Sequence, residues 1–238
     1  MHKLSAFALA VLLGKGALAQ VASADTATYQ QAVQAAVASY HQTITNQAEL
    51  YNGVEHVRYL PTIEGIPYYG ADEWKPGTIA YNGMVYRDVP LKYDMVKDQV
   101  VVKHTNGFSS FSLYSPRVTY FVVGGDRFVY IPAGTDKTLP PPGFYQQLRT
   151  GPLTVLVKRS KWIDEQVQSG KLELKFLSAN KFYVLKDGAY HSLRREADLM
   201  ELLGERRKEA KQTLQRAGIR YKKNPELAIL TVADYYNK

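Results

Sequence analysis

Beyond His2, the histidines of this chain are His41, His56, His104 and His191, and a search for chemistry starts with them. Their spacing matches neither HExxH nor any other metal-ligand pattern, and isolated histidines of this kind are more often structural than ligating. No metal or cofactor site is expected. The sequence contains no cysteine, which rules out thiol nucleophiles, thiolate metal sites and disulfide frameworks. It also lacks a GxSxG nucleophile elbow. One SxxK match exists, Ser178 with Lys181 in "LSANKF". An active serine needs its lysine one helical turn away, whereas this stretch reads as a turn between strands, so no catalytic residue is assigned.

Carboxylates offer a second route to chemistry. A glycosidase needs two of them roughly 5 to 10 Å apart across a sugar cleft, and Asp72 and Glu73 beside Trp74, with Glu64 nearby, are the best candidates. Adjacent strand residues point to opposite faces, so Asp72 and Glu73 do not easily share a site. They read first as polar residues at a strand entrance. A hydrolase of envelope or environmental polymers is therefore the alternative reading. In a binding protein, Tyr68, Tyr69, Glu73 and Trp74 of "PYYGADEW" would form the ligand surface, with aromatic faces exposed for stacking.

Charge points to a partner. The chain carries 30 Lys and Arg against 22 Asp and Glu, a formal net charge of +8. Most of the excess lies between Arg194 and Lys223, where Arg206, Arg207, Lys208, Lys211, Lys222 and Lys223 form a candidate patch for an anionic partner. Such a cluster meets anionic lipid headgroups, acidic glycans or an acidic protein. Glu205 and Glu209 among these bases are also what a solvated, salt-bridge-laced helix requires. Nucleic acid is an unlikely partner because of the export signal described next.

The N-terminal "MHKLSAFALAVLLGKGALAQ" has a basic Lys3, an apolar run from Ala6 to Leu13, and small residues at Ala17 and Ala19. This is the plan of a secretory signal over residues 1–19. The run is shorter than the ~20 residues of a membrane-spanning helix, so the exported product is expected to be soluble, periplasmic or secreted. An exported chain without disulfides points to a bacterial envelope.

The elements that must position these residues follow from periodicity. Tyr29, Val33, Val37, Tyr40 and Ile44 recur at near-helical spacing, predicting an amphipathic helix within 20–50 whose stripe packs on the sheet that follows. Asn82-Gly83, inside "GTIAYNGMVYRDVPLKYDMVKDQVVV", suits a type I′ hairpin turn. The same grammar recurs at Asn106-Gly107, at Gly124 to Asp126 and at Asp187-Gly188. Alternation assigns most tyrosines here to half-buried strand positions. Three consecutive prolines in "IPAGTDKTLPPPGF" cannot sit in a central strand and predict a long exposed loop. "SKWIDEQVQSG" reads as a short helix or lid between two strands. The tail from Arg195 is helical, with Gly204 a break, Gly218 a stop, and Asn224-Pro225 an N-cap and first turn.

"ADEWKPGTIAYNGMVYRDVPLKYDMVKDQVVV" and "KDGAYHSLRREADLMELLGERRKEAKQTLQRAGIRYKKNPELAILTVADYYN" together resemble a group of uncharacterised exported proteins of Bacteroidota-type Gram-negative bacteria, with a tyrosine-rich β-meander and a basic helical tail. The resemblance implies an envelope or secreted location and carries no activity with it. The expectation is an α+β protein. Its antiparallel β-meander, a curved sheet or partly closed barrel over 51–193, is preceded by one helix and followed by a helical tail over 194–238. Its expected function is that of a non-catalytic binding or interaction module of the cell envelope.

Overall fold

The structure is a computed structural model that describes residues 28–36, 49–135, 138–168 and 170–238. The signal segment and much of the N-terminal helical stretch lie outside them. Residues 28–36 form a helix, α1, on which Tyr29 and Val33 are exposed. The other positions of the expected stripe, Val37, Tyr40 and Ile44, lie outside the described residues. Leu50–Lys238 is a separate compact unit.

That unit is built on one eleven-stranded antiparallel sheet. Its strands are β1 (Val54–Glu55), β2 (Lys75–Tyr81), β3 (Met84–Asp94), β4 (Gln99–Lys103), β5 (Ser110–Ser112) and β6 (Val118–Val123), followed by β7 (Asp126–Ile131), β8 (Gly143–Arg149), β9 (Leu153–Gln168), β10 (Lys171–Lys186) and β11 (Ala189–Leu193). Their order is β1-β5-β4-β3-β2-β6-β7-β8-β9-β10-β11. Three tight hairpins carry the predicted turn chemistry. Asn82 and Gly83, Gly124 and Gly125, and Asp187 and Gly188 all hold positive φ, as a type I′ turn requires. The Asn106 turn is longer: only Gly107 is left-handed there, and the Asn106 side chain accepts from the N–H groups of Phe108 and Ser109.

The link from β5 to β6 shows why the sheet curls. These strands are four positions apart in the sheet, about 19 Å if it were flat. Yet only residues 113–117 join them, and Ser115–Arg117 is a tight 3-10 turn. Curling brings the ends together and encloses an aromatic core. The Tyr93 ring lies 5.2 Å from Phe121, 5.0 Å from Phe128 and 5.9 Å from Phe144, linking β3 to β6, β7 and β8 across the concave interior. Asp98, in the turn after β3, accepts from the Tyr93 hydroxyl at 2.6 Å and the Phe144 N–H at 3.3 Å. It also pairs with Lys158 of β9 at 2.5 Å. A Cβ on Gly143 would stand 2.0 Å from the Asp98 carboxylate, so glycine is needed at that approach. The curl does not close, because β1 and β11 remain at opposite ends of the order.

The stretch expected to hold a helix or lid is strand over 160–168. β9 and β10 are each 16 residues long and pair without a break from Leu153 with Lys186 to Gln168 with Lys171. Polar residues occur on both faces of this hairpin's far half, so the period of two was masked there. After β11 come α2 (Glu196–Leu202), a 3-10 turn (Gly204–Arg206), α3 (Arg207–Arg216) and α4 (Pro225–Tyr236). Gly204 at φ 55 splits the helical stretch, Gly218 at φ 66 ends it, and Asn224 caps α4 by accepting from Leu227 N–H at 3.0 Å. Leu199, Leu214, Ile229 and Val232 of these helices bury Val155, Val157 and Val184 of the sheet. On the opposite face, Tyr145, Leu156 and Tyr183 pack with Leu139 of the proline-rich loop. Among the described residues no helix is long and apolar enough to cross a membrane.

Candidate functional site

The segment 56–74 crosses the curled half of the sheet, where Tyr68 forms a backbone bridge with Asp94 and Tyr69 N–H donates to Tyr93 O. Beneath it lies a polar network. His56 Nδ1 is 3.1 Å from Ser112 Oγ and its Nε2 is 3.0 Å from the Tyr68 hydroxyl. The Asp94 carboxylate accepts from the Tyr59 hydroxyl at 2.9 Å and from the N–H groups of Val96 and Lys97, with His56 Nε2 4.0 Å away. His56 and Asp94 are both buried. Burial pushes the imidazole pKa down, with the positive charge of Lys97 next and Asp94 opposing them, so the ring is held neutral. Burial also pushes the Tyr68 hydroxyl up to about 12, aided by the charges of Asp72 and Asp94.

Serine, histidine and aspartate thus meet, but not as a nucleophilic triad. A triad needs the aspartate hydrogen-bonded to the imidazole nitrogen opposite the serine, whereas here Tyr68 holds His56 Nε2 and Asp94 stands 4.0 Å off, bonded instead to Tyr59, Val96 and Lys97. The network instead satisfies polar groups that the curl has taken out of water.

That adjoining cleft, of about 730 Å³, is walled by Tyr59, Tyr68, Trp74, Lys92 and Phe176 among others. Two of the residues expected to bind ligand meet here, but their faces are taken. Lys92 Nζ lies 4.7 Å from the Tyr68 ring centre and 4.6 Å from that of Trp74, and it pairs with Asp72. Tyr68 is buried rather than exposed. Tyr69 faces elsewhere: its hydroxyl donates to Asp126 at 3.0 Å and accepts from Gln146 Nε2 at 3.1 Å. Gln146 in turn accepts from Arg159, which grips Glu226 of α4 with two bonds. Glu73 is exposed and lines no cleft described here. Glu64 pairs with Lys175 on the sheet edge at 2.9 Å. The carboxylates considered for polymer hydrolysis therefore do not face each other across a cleft. Among the described residues, no three His, Asp or Glu side chains gather as a metal site.

A larger cleft, of about 1110 Å³, opens where β11 ends and the chain turns into α2. Its walls include Tyr183, Tyr190 and Tyr221, with Lys181, Arg194 and Lys222 around them. Burial raises the Tyr183 hydroxyl pKa while the Arg194 charge opposes it. Asp198 accepts from the N–H groups of Arg194 and Arg195, fixing the path from β11 into α2. Arg195 pairs with Asp198. Among the described residues no carboxylate pairs with Lys181, Arg194 or Lys222. Three unpaired cations around tyrosine rings suit an anion that also carries apolar or ring surface.

The expected basic patch contributes only Lys222 to this cleft. Arg206 donates to Tyr236 O and stacks on its ring at 4.8 Å, and Arg207 donates to Met200 O. Lys211 and Arg207 border a smaller hollow with Glu196 and Glu201. Lys208 and Lys223 are exposed and line neither larger cleft. Sequence reading missed Lys181, Arg194, Tyr183 and Tyr190, although "NKFYVLKDGAYHSLRR" places cations at both open ends of a hairpin. The SxxK pair sits in mid-β10, not in a turn. On a strand, residues three apart face opposite ways, so Lys181 does not serve Ser178.

Comparison with protein-family models, curated proteins and solved structures finds no match to this chain.

Proposed function

We propose that this protein is an exported, non-catalytic interaction module of the bacterial cell envelope, and that it engages an anionic partner at the cleft beside β11. The observation that carries this reading is the trio Lys181, Arg194 and Lys222, unpaired among the described residues and set around a tyrosine-lined cleft of about 1110 Å³. Lys181, Arg194 and Lys222 are exposed, so an anion reaches them freely, and one that arrives with ring or apolar surface also covers the tyrosines. The signal-like N-terminus and the absence of cysteine support the location.

The test is a titration of the purified protein with polyglutamate, polygalacturonate and phosphatidylglycerol vesicles at low and high salt. Reversing Lys181, Arg194 and Lys222 to Glu should weaken binding to the preferred probe by at least about tenfold and flatten its salt dependence. Reversing Lys208, Lys211 and Arg216 on α3 changes net charge equally and should weaken it less than about threefold. Equal losses in the two variants would mean that only net charge matters, and the cleft would not be the seat.

A further inference from the structure

The row of strands beside β10 has a gap. β11 covers β10 from Phe182 to Lys186. At the other end, Glu64 exchanges backbone hydrogen bonds with Leu174 O and Phe176 N–H. Between these covers, residues 177–181 pair with β9 on one side only. The alternation of the ladder says which groups are left over. Phe176 turns its N–H, and Leu174 its C=O, away from β9, so the even-numbered residues that follow do the same. The N–H and C=O groups of Ser178 and Asn180 therefore point out of the sheet, both residues are exposed, and no described backbone group bonds to them.

The gap is about 17 Å long, the length of a five-residue strand. It is also flanked by both clefts, since Phe176 lines the smaller and Asn180 to Tyr183 line the larger. Cations stand at the larger-cleft end: Lys181, Arg194 and Lys222.

We infer that the partner is an extended acidic peptide segment that adds as a strand along Leu177 to Lys181. This rests on the cleft reading above and goes further, by naming the partner's chemistry. The outward backbone groups of Ser178 and Asn180 give the peptide two donors and two acceptors at strand spacing, a pattern that a glycan or a lipid headgroup does not reproduce. Carboxylates on the peptide reach Lys181, Arg194 and Lys222, while its neighbouring apolar side chains lie against tyrosine in the larger cleft. Lys181 at the gap also resists addition of a second, cationic copy of this chain.

The experiment uses the purified protein and a seven-residue peptide, acetyl-Glu-Val-Glu-Thr-Glu-Val-Glu-amide, with polygalacturonate and phosphatidylglycerol vesicles as rival probes. Amide hydrogen exchange at Ser178 and Asn180 should slow by at least about tenfold when the peptide is bound. In parallel, Asn180→Pro removes one outward donor without touching the ladder to β9, a change that sheet edges accept. Provided its circular dichroism is unchanged, it should lose at least about tenfold in peptide affinity and keep any polygalacturonate affinity.

Peptide binding with unchanged exchange at both amides overturns strand addition. So does charge-dependent binding of polygalacturonate or vesicles without peptide binding, a result that leaves the cleft itself standing. If none of the probes binds, both the strand and the cleft readings fall.

Discussion

The two ends of this sheet solve the same problem differently. From β2 to β8 the sheet curls on itself, and its concave face closes over Tyr93, Phe121, Phe128 and Phe144. Curling carries the turn after β3 against β8 and β9, so polar groups there are met by side chains such as Asp98. From β9 to β11 the sheet is instead covered by layers, with helices on one face and the proline-rich loop on the other. Layering buries faces and leaves edges. β11 has five residues against the 16 of β10, and the shortfall leaves backbone open beside a cationic cleft. The open strand backbone belongs to the layered half, whereas the polar side chains of the curled half are used up within it.

The largest expected effect tests the curled core. Phe121→Ala removes a fully buried ring stacked 4.8 Å from Phe128 and should cost about 4 kcal/mol, read from a urea midpoint. A loss below about 1 kcal/mol would mean that the curl is not held by its aromatic interior. Asp98→Ala comes next. It leaves Lys158 and the Phe144 N–H without their acceptor, and burial already lowers the Lys158 pKa against the pull of Asp98. Side-chain exposures of 27% for Asp98 and 17% for Lys158 keep the cost at about 2 kcal/mol, below that of a fully buried pair. In the layered half, Asn224→Ala removes the α4 cap and should cost about 1 kcal/mol in thermal unfolding, with Asn224→Asp nearly neutral. If Asn224→Ala destabilised as much as Phe121→Ala, the helices would hold the fold as firmly as the curl does.

The smallest effect is a pH dependence. The His56 pKa is lowered in the folded protein, so the unfolded chain takes up the proton first. The stability due to this group is present above about pH 6.5 and is lost as pH falls from there through the lower folded value. His56→Gln should flatten the fall in urea midpoint between pH 6.5 and pH 5. An unchanged slope in the variant would place that dependence on other groups.

Much of the architecture was legible in the residues. Asn82-Gly83 and Asp187-Gly188 announced their hairpins because only a few residue types tolerate positive φ, and those turns hold it here. Asn224-Pro225 announced α4 by the same kind of local chemistry. Only the far half of β9, in "SKWIDEQVQSG", reads as a helix or lid, because a strand wet on both faces shows no clean alternation, whereas "KLELKFL" reads as the strand it is. Site residues were harder still. Tyr68 and Trp74 belong to one cleft, but nothing in the sequence said that Lys92, from β3, would lie over both rings.

By itself, then, the sequence determined the turns, the caps, the proline-rich loop and the antiparallel class, because each is set by the backbone preferences of neighbouring residues. Tertiary structure alone decided that the β2–β8 region curls, that His56, Tyr68 and Ser112 share one buried network, and that β10 keeps an unpaired edge beside Lys181, Arg194 and Lys222. These features depend on which strands meet and where one strand stops short of another. Contacts across the sheet between residues far apart in the chain settle both.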